Sequence, residues 1–137
     1  MPRLNRIVET ALYVDDLDRA AAFYEGKLGL NTMLRTETLY AYDIGGQNVL
    51  LLFQRGASLE TQSSERGSIP PHDGQGPLHI CFAVDAGELA SWEAQLAQHG
   101  VPIEGRMRWN RGGTSLYFRD PDGHLLEIMT PGNWPNY

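Results

Sequence analysis

The sequence predicts an α+β fold of two β-α-β-β-β modules in pseudo-two-fold relation. Three observations predict it. Strand-like and helix-like runs recur in one order in both halves of the 137-residue chain. The halves match residue by residue in short stretches. An aperiodic segment, 55–77, separates them. An internal repeat is strong architectural evidence, because each copy must form the same supersecondary unit.

The first module spans about 5–55. Its opening strand is predicted at Ile7–Val14. Asp15-Asp16 then offers a helix N-cap. Leu17, Ala20, Ala21, Tyr24 and Leu28 follow at helical spacing, with Gly29 placed to end the helix. Strands are predicted at Thr32–Thr36, Leu39–Ile44 and Asn48–Phe53, with Gly45-Gly46 turning between the last two. Segment 55–77 is rich in Ser, Gly, Pro and charge and shows no periodicity, the composition of a lid or a linker.

The second module spans about 78–131. Leu78–Val84 reads as a strand, and Asp85 as the cap of a helix carrying Leu89, Trp92 and Leu96 and ending at Gly100. Strands follow at about Val101–Trp109, Thr114–Arg119 and His124–Thr130, the last after the turn Asp120-Pro121-Asp122-Gly123. Leu12-Tyr13-Val14-Asp15 lies 70 positions before Phe82-Ala83-Val84-Asp85, and Gly29-Leu30 lies 71 before Gly100-Val101. Asn48–Phe53 aligns with His124–Met129 at an offset of 76.

Bulk properties set limits. A hydrophobic content of 42% supports a real core in a single domain, residues 1–137. A net charge of -6 argues against nucleic acid and anionic membrane surfaces as partners. No apolar run reaches membrane-spanning length, and the N-terminus lacks the apolar region of a signal peptide. The one cysteine, Cys81, leaves no intrachain disulfide and fits a reducing compartment, so a cytoplasmic location is expected. Cys81 itself reads as a small buried apolar residue.

Glu127 stands out. It lies inside Leu125-Leu126-Glu127-Ile128-Met129, a run that reads as a buried strand. A carboxylate there is costly unless a metal ion or a basic group pairs with it. The repeat supplies partners. Glu9 and His79 share one slot on the first strand of their modules, and Leu51 and Glu127 share one slot on the last. Three of the four slots hold a metal-capable side chain. Strand parity puts Glu9, Ala11 and Tyr13 on one face and Leu12 and Val14 on the other. It likewise sets His79, Cys81 and Ala83 against Ile80 and Phe82. One imidazole and two carboxylates form a site for a divalent ion such as Mn, Fe, Ni, Co or Zn, with positions left for water or substrate.

At these residues the chain resembles the vicinal oxygen chelate superfamily, which includes glyoxalase I, bleomycin-resistance and fosfomycin-resistance proteins, methylmalonyl-CoA epimerase and extradiol dioxygenases. Three segments carry the resemblance: Tyr13–Leu30, YVDDLDRAAAFYEGKLGL; Leu78–Asp85, LHICFAVD; and Tyr117–Thr130, YFRDPDGHLLEIMT. It implies a cupped mixed β-sheet with flanking helices. It also implies metal ligands at Glu9, His79 and Glu127. The fourth glyoxalase ligand falls on Leu51, a departure from ordinary glyoxalase I. Glu in place of His at position 9 departs from the extradiol dioxygenases and from the fosfomycin enzymes. The resemblance further implies a homodimer in which Glu9 of one chain joins His79 and Glu127 of the other.

The chemistry implied is Lewis-acid activation of a small oxygen-bearing substrate, of isomerase, lyase or dioxygenase type. Glu9 and Glu127 are the candidates for general base. Leu51, His72, Trp109, Arg111, Ser115 and Tyr117 are candidate substrate-pocket residues. Ser115 and Tyr117 share a face of the penultimate strand. His72 lies seven residues before His79, within reach of the pocket or out in solvent. Arg106, Arg108 and Arg111 form a basic cluster that either attracts an anion or is a solvated face. Trp134 either caps the cavity or packs. Two other classes stay open: a metal-free protein that binds a small molecule or drug, and a domain whose metal is structural.

Overall fold

Alternating and helical apolar patterns resolve into two compact units, Met1–Gln75 and Gly76–Tyr137, in a computed structural model that describes residues 1–137. The first unit runs β1 (Glu9–Val14), α1 (Leu17–Tyr24), β2 (Asn31–Arg35), β3 (Leu39–Ile44), β4 (Asn48–Gln54), β5 (Gln62–Ser64) and β6 (Gly67–Ile69). The second runs β7 (His79–Ala83), a 3₁₀ turn Ala86–Glu88, α2 (Leu89–Gln98), β8 (Gly105–Arg108), β9 (Thr114–Arg119) and β10 (Leu125–Met129). The sheets have orders β1-β4-β3-β2 and β7-β10-β9-β8, each with one parallel pair and two antiparallel pairs. This is the predicted α+β repeat. No helix is long and apolar enough to cross a membrane.

The repeat extends to register. Glu9 pairs with Val49 and Ala11 with Leu51 in the first unit. His79 pairs with Leu125 and Cys81 with Glu127 in the second. Glu9 and His79 therefore occupy equivalent positions, as do Leu51 and Glu127. A one-residue slip would turn every one of these side chains to the opposite face.

The helices are set by their ends. Asp16 caps α1, its carboxylate accepting from the Arg19 amide at 3.0 Å. Gly29, at φ 73°, takes the left-handed turn that ends the segment, and its amide reaches Glu25 O at 3.1 Å. Leu17, Ala20, Ala21, Phe23 and Tyr24 are buried on this helix. On the sheet, Leu12, Val14, Leu50 and Leu52 are buried as well. Each buried Val, Leu or Phe among them stabilises the unit by roughly 1.5–3 kcal/mol relative to exposure. In the second unit Leu96, Leu116, Phe118, Leu126 and Ile128 fill the same role.

β1 starts at Glu9 rather than Ile7, and three regions depart further from expectation. Asp85 makes no side-chain cap bond; its carbonyl accepts from Glu88, so the chain enters α2 through the 3₁₀ turn. The strand predicted from Val101 begins at Gly105, because the Val101 amide is committed to Leu96 O and Pro102 has no amide to offer. Segment 55–77 contains the hairpin β5–β6, and its residues through Gln75 belong to the first unit. Arg55 fastens this segment: it pairs with Asp15 and donates to Tyr13 O at 3.0 Å and Gly74 O at 3.1 Å. The Gly56 amide binds Asp73 at 3.1 Å, and the His72 amide binds Ser58 O at 2.9 Å.

Candidate functional site

In the second unit, β7, β9 and β10 bring His79, Ser115, Tyr117 and Glu127 together, and Trp109 joins them from the β8–β9 turn. Glu127 is 4% exposed. Its Oε2 accepts a hydrogen bond from Ser115 Oγ at 2.5 Å. Ser115 in turn accepts from the indole Nε1 of Trp109 at 2.8 Å. Glu127 Oε1 lies 3.3 Å from His79 Nε2. On the other side of the imidazole, Nδ1 lies 2.8 Å from Leu125 O, a group that can only accept. Nδ1 therefore carries the proton, and Nε2 is aimed at Glu127. The Tyr117 ring stacks near His79 with centroids 6.4 Å apart.

These contacts follow from parity and register. Glu127, Cys81 and Tyr117 form one row across three strands. His79 and Ser115 sit one strand step away on the same face, so their side chains converge on the carboxylate. Burial, and then the charge and hydrogen bonding of Glu127, raise the Tyr117 phenol above its ordinary value. The same causes push the Cys81 thiol up to about 12.

Cys81 corrects the sequence reading. It is exposed as a residue, because β7 is an edge strand, while its thiol sits against Glu127.

The pair His79 and Glu127 fits a divalent ion. Two donors bound at about 2.1 Å to one ion, at angles from square to tetrahedral, stand about 3.0–3.4 Å apart. Nε2 and Oε1 meet that separation at 3.3 Å. The Leu125 carbonyl and the Ser115 hydroxyl hold the far sides of both ligands, as outer partners of metal ligands do. No group of three or more His, Cys, Asp and Glu side chains able to hold a metal occurs within either unit.

Glu9, Leu51 and His72 belong to the first unit, where all three line a cavity of about 730 Å³. Glu9 is exposed at the start of β1. His72 is half-buried, not in open solvent: its Nδ1 lies 2.8 Å from Tyr13 Oη, and its ring meets Phe53 edge-on with centroids 4.6 Å apart. Tyr13 and Phe53 stack at 5.7 Å. Burial first, and then the charge of Asp73, raise the Tyr13 phenol, which stays protonated. Tyr13 and Phe53 had no assigned role in the sequence; their shared-face positions on paired strands were the signal available.

Other predicted residues lie elsewhere. Arg111 is exposed in the turn where the Gly112 amide bonds Trp109 O. Arg106 is ion-paired with Glu93 of α2, so the three arginines are not a free basic cluster. Trp134 is 60% exposed and does not pack. His124 is fully buried and structural: its Nδ1 accepts the Leu78 amide at 2.9 Å, while Asp120 Oδ1 accepts the His124 and Asp122 amides.

Known proteins share this fold. Residues 6–128 match the Glyoxalase/Bleomycin resistance protein/Dioxygenase superfamily. The chain is 31% identical over 129 residues to Metallothiol transferase FosB of Shouchella clausii (strain KSM-K16), covering 93% of this chain and 81% of that protein. It is 31% identical over 119 residues to Metallothiol transferase FosB of Lysinibacillus sphaericus (strain C3-41), covering 85% and 76%. The crystal structure of lactoylglutathione lyase from Agrobacterium tumefaciens superimposes with a TM-score of 0.85 at 35% identity, covering 94% of this chain and 96% of that one. With its repeated β-α-β-β-β units and a match over most of its length, the chain belongs to the Glyoxalase/Bleomycin resistance protein/Dioxygenase superfamily.

Proposed function

We propose that this protein is a divalent-metal-dependent enzyme acting on a small oxygen-bearing substrate. The observation that carries the reading is the pair His79 Nε2 and Glu127 Oε1, set 3.3 Å apart with both side chains held from behind. The similarity to metallothiol transferases and to a lactoylglutathione lyase supports it.

His79 and Glu127 are the firm ligands in this proposal, and Glu9 is the third. When bound, the ion supplies Lewis-acid polarisation of a substrate oxygen. The Leu125 carbonyl fixes the His79 tautomer. Ser115 occupies one carboxylate oxygen of Glu127 and leaves the other for the ion. Tyr117 flanks the imidazole and positions the substrate. Glu9, exposed and less constrained, is the better candidate to take a proton.

A second copy of the chain supplies Glu9 in this proposal, in a homodimer. Its support is the uncovered entry to β1, where Ile7 is 67% exposed and Val8 54%. Sedimentation with and without chelator tests the assembly: a dimer that loosens on metal removal supports it, and a monomer under both conditions rejects it. Equilibrium dialysis against Mn, Co, Ni and Zn tests the enzyme reading. Stoichiometric uptake by the natural chain, lost in His79→Ala and Glu127→Gln, supports it. No uptake, or uptake unchanged in both variants, rejects it.

A further inference from the structure

The Ser115 hydroxyl carries one proton and touches two groups of fixed character. The Trp109 indole N–H, 2.8 Å away, can only donate. The Glu127 carboxylate, 2.5 Å away, accepts. The indole therefore occupies a lone pair of Oγ, and the hydroxyl proton is left for Oε2. Without the indole, the hydroxyl is free to turn about its Cβ–Oγ bond, and Oε2 loses a fixed donor.

Trp109 lies in the turn between β8 and β9, two residues beyond Met107, the cross-strand partner of Ser115. Its own backbone closes that turn. Its amide donates to Gly113 O at 2.8 Å, and its carbonyl accepts from the Gly112 amide at 2.9 Å. The turn rests on the segment that follows β10, the strand of Glu127. The Thr114 amide donates to Thr130 Oγ1 at 2.8 Å, and the Thr130 amide to Thr114 O at 3.0 Å. Gly113 is buried, and a Cβ there would meet Thr130 O at 2.9 Å and Pro131 O at 3.1 Å. From the other side, a Cβ on Gly132 would meet Gly113 N at 2.6 Å and Arg111 O at 3.0 Å. Backbone packs on backbone with no room for a methyl group, so neither side shifts alone. The end of β10 thus fixes the turn, the turn fixes Trp109, and Trp109 sets the hydroxyl that returns to β10.

We infer that Trp109 is a positioning residue for Glu127, held by the Gly113–Gly132 backbone contact and acting through the Ser115 hydroxyl. In this role it touches neither ion nor substrate. It fixes which carboxylate oxygen is spent on the protein, and so leaves Oε1 toward His79. This deepens the proposed function and rests on it only where Glu127 serves as a metal ligand. The relay itself is a property of the metal-free chain.

The test uses the full chain in two arms. In chelator, NMR records the indole N–H resonances of Trp92, Trp109 and Trp134, and Trp109→Phe identifies its own. Glu127→Gln should move the Trp109 resonance and leave the other two in place. A ring that only fills space would not sense that change. Gly113→Ala, at a position without positive φ, should move the Trp109 resonance as well. In the second arm, zinc uptake should weaken about threefold in Trp109→Phe and about threefold in Gly113→Ala. The double variant should also lose about threefold rather than about ninefold, because Gly113 acts through Trp109. The proposal is overturned if Glu127→Gln leaves the Trp109 resonance unmoved, if Trp109→Phe takes up zinc unchanged, or if the two losses multiply. If Gly113→Ala does not fold, the first two of these results decide. If the natural chain takes up no zinc, the metal reading fails, and the chelator arm still decides the relay.

Discussion

Ser115 Oγ donates to Glu127 Oε2 at 2.5 Å, and both residues are buried. The bond answers the cost of a carboxylate inside an apolar strand by occupying one of its oxygens. It also makes the two oxygens unequal, because only Oε1 faces His79. Ser115→Ala should strip Oε2 of its donor and the Trp109 indole of its acceptor. The expected cost is about 1–3 kcal/mol of stability, read by urea denaturation. Metal affinity should fall by roughly tenfold or more, read by calorimetry. Trp109→Phe should lower it less, since Ser115 still reaches Glu127.

His124 separates structure from chemistry. It stands beside the site in sequence, at the predicted start of the last strand, yet its ring is spent on the Leu78 amide. His124→Leu should destabilise the chain by about 1–3 kcal/mol by orphaning that buried donor. Once folded, the variant should bind metal like the natural chain. Loss of metal at full stability would contradict this assignment.

Gly74 lets the segment after β6 lie on Tyr13. A Cβ at this position would meet Tyr13 Cδ2 at 2.4 Å, closer than real contacts allow. Gly74→Ala should push the ring off Phe53 and His72. The clash should lower the urea denaturation midpoint, while metal uptake should stay unchanged.

Glu25 gives the first unit an acid-sensitive tie. The Thr32 hydroxyl bonds it at 2.6 Å, and Arg35 and the Tyr42 hydroxyl bond it as well. Thr32 first, and then Arg35 and Tyr42, hold its carboxyl below the usual range. A folded value below the unfolded one contributes stability above the unfolded value, about 4.3, and loses it as pH falls through the folded value. Glu25→Gln should therefore be less stable than the natural chain near neutrality. The difference in denaturation midpoint should shrink as pH falls below about 4. A difference independent of pH would contradict the assignment.

Much of this was legible because the chain repeats. The offsets of 70 and 76 placed Glu9 with His79 and Leu51 with Glu127, and the observed registers agree. The Asp16 cap and the turns at Gly29 and Gly100 were legible because one residue type satisfies each local demand. The hairpin β5–β6 was not: its strands are polar and exposed on both faces, and Glu65-Arg66 carries no hairpin-turn signature. Nor was the burial of His72, which depends on Arg55 and Asp73 fastening a distant segment. Parity put Ser115 on the right face, but the reach of Trp109 to it belongs to the β8–β9 turn and has no periodic signal.

Anomalous diffraction from crystals grown with cobalt or manganese tests the central claim most directly. The account predicts an ion within bonding distance of His79 Nε2 and Glu127 Oε1, with Ser115 still on Oε2. An ion bound elsewhere, or density showing Glu127 held by Ser115 and His79 with no ion at saturating metal, would contradict it.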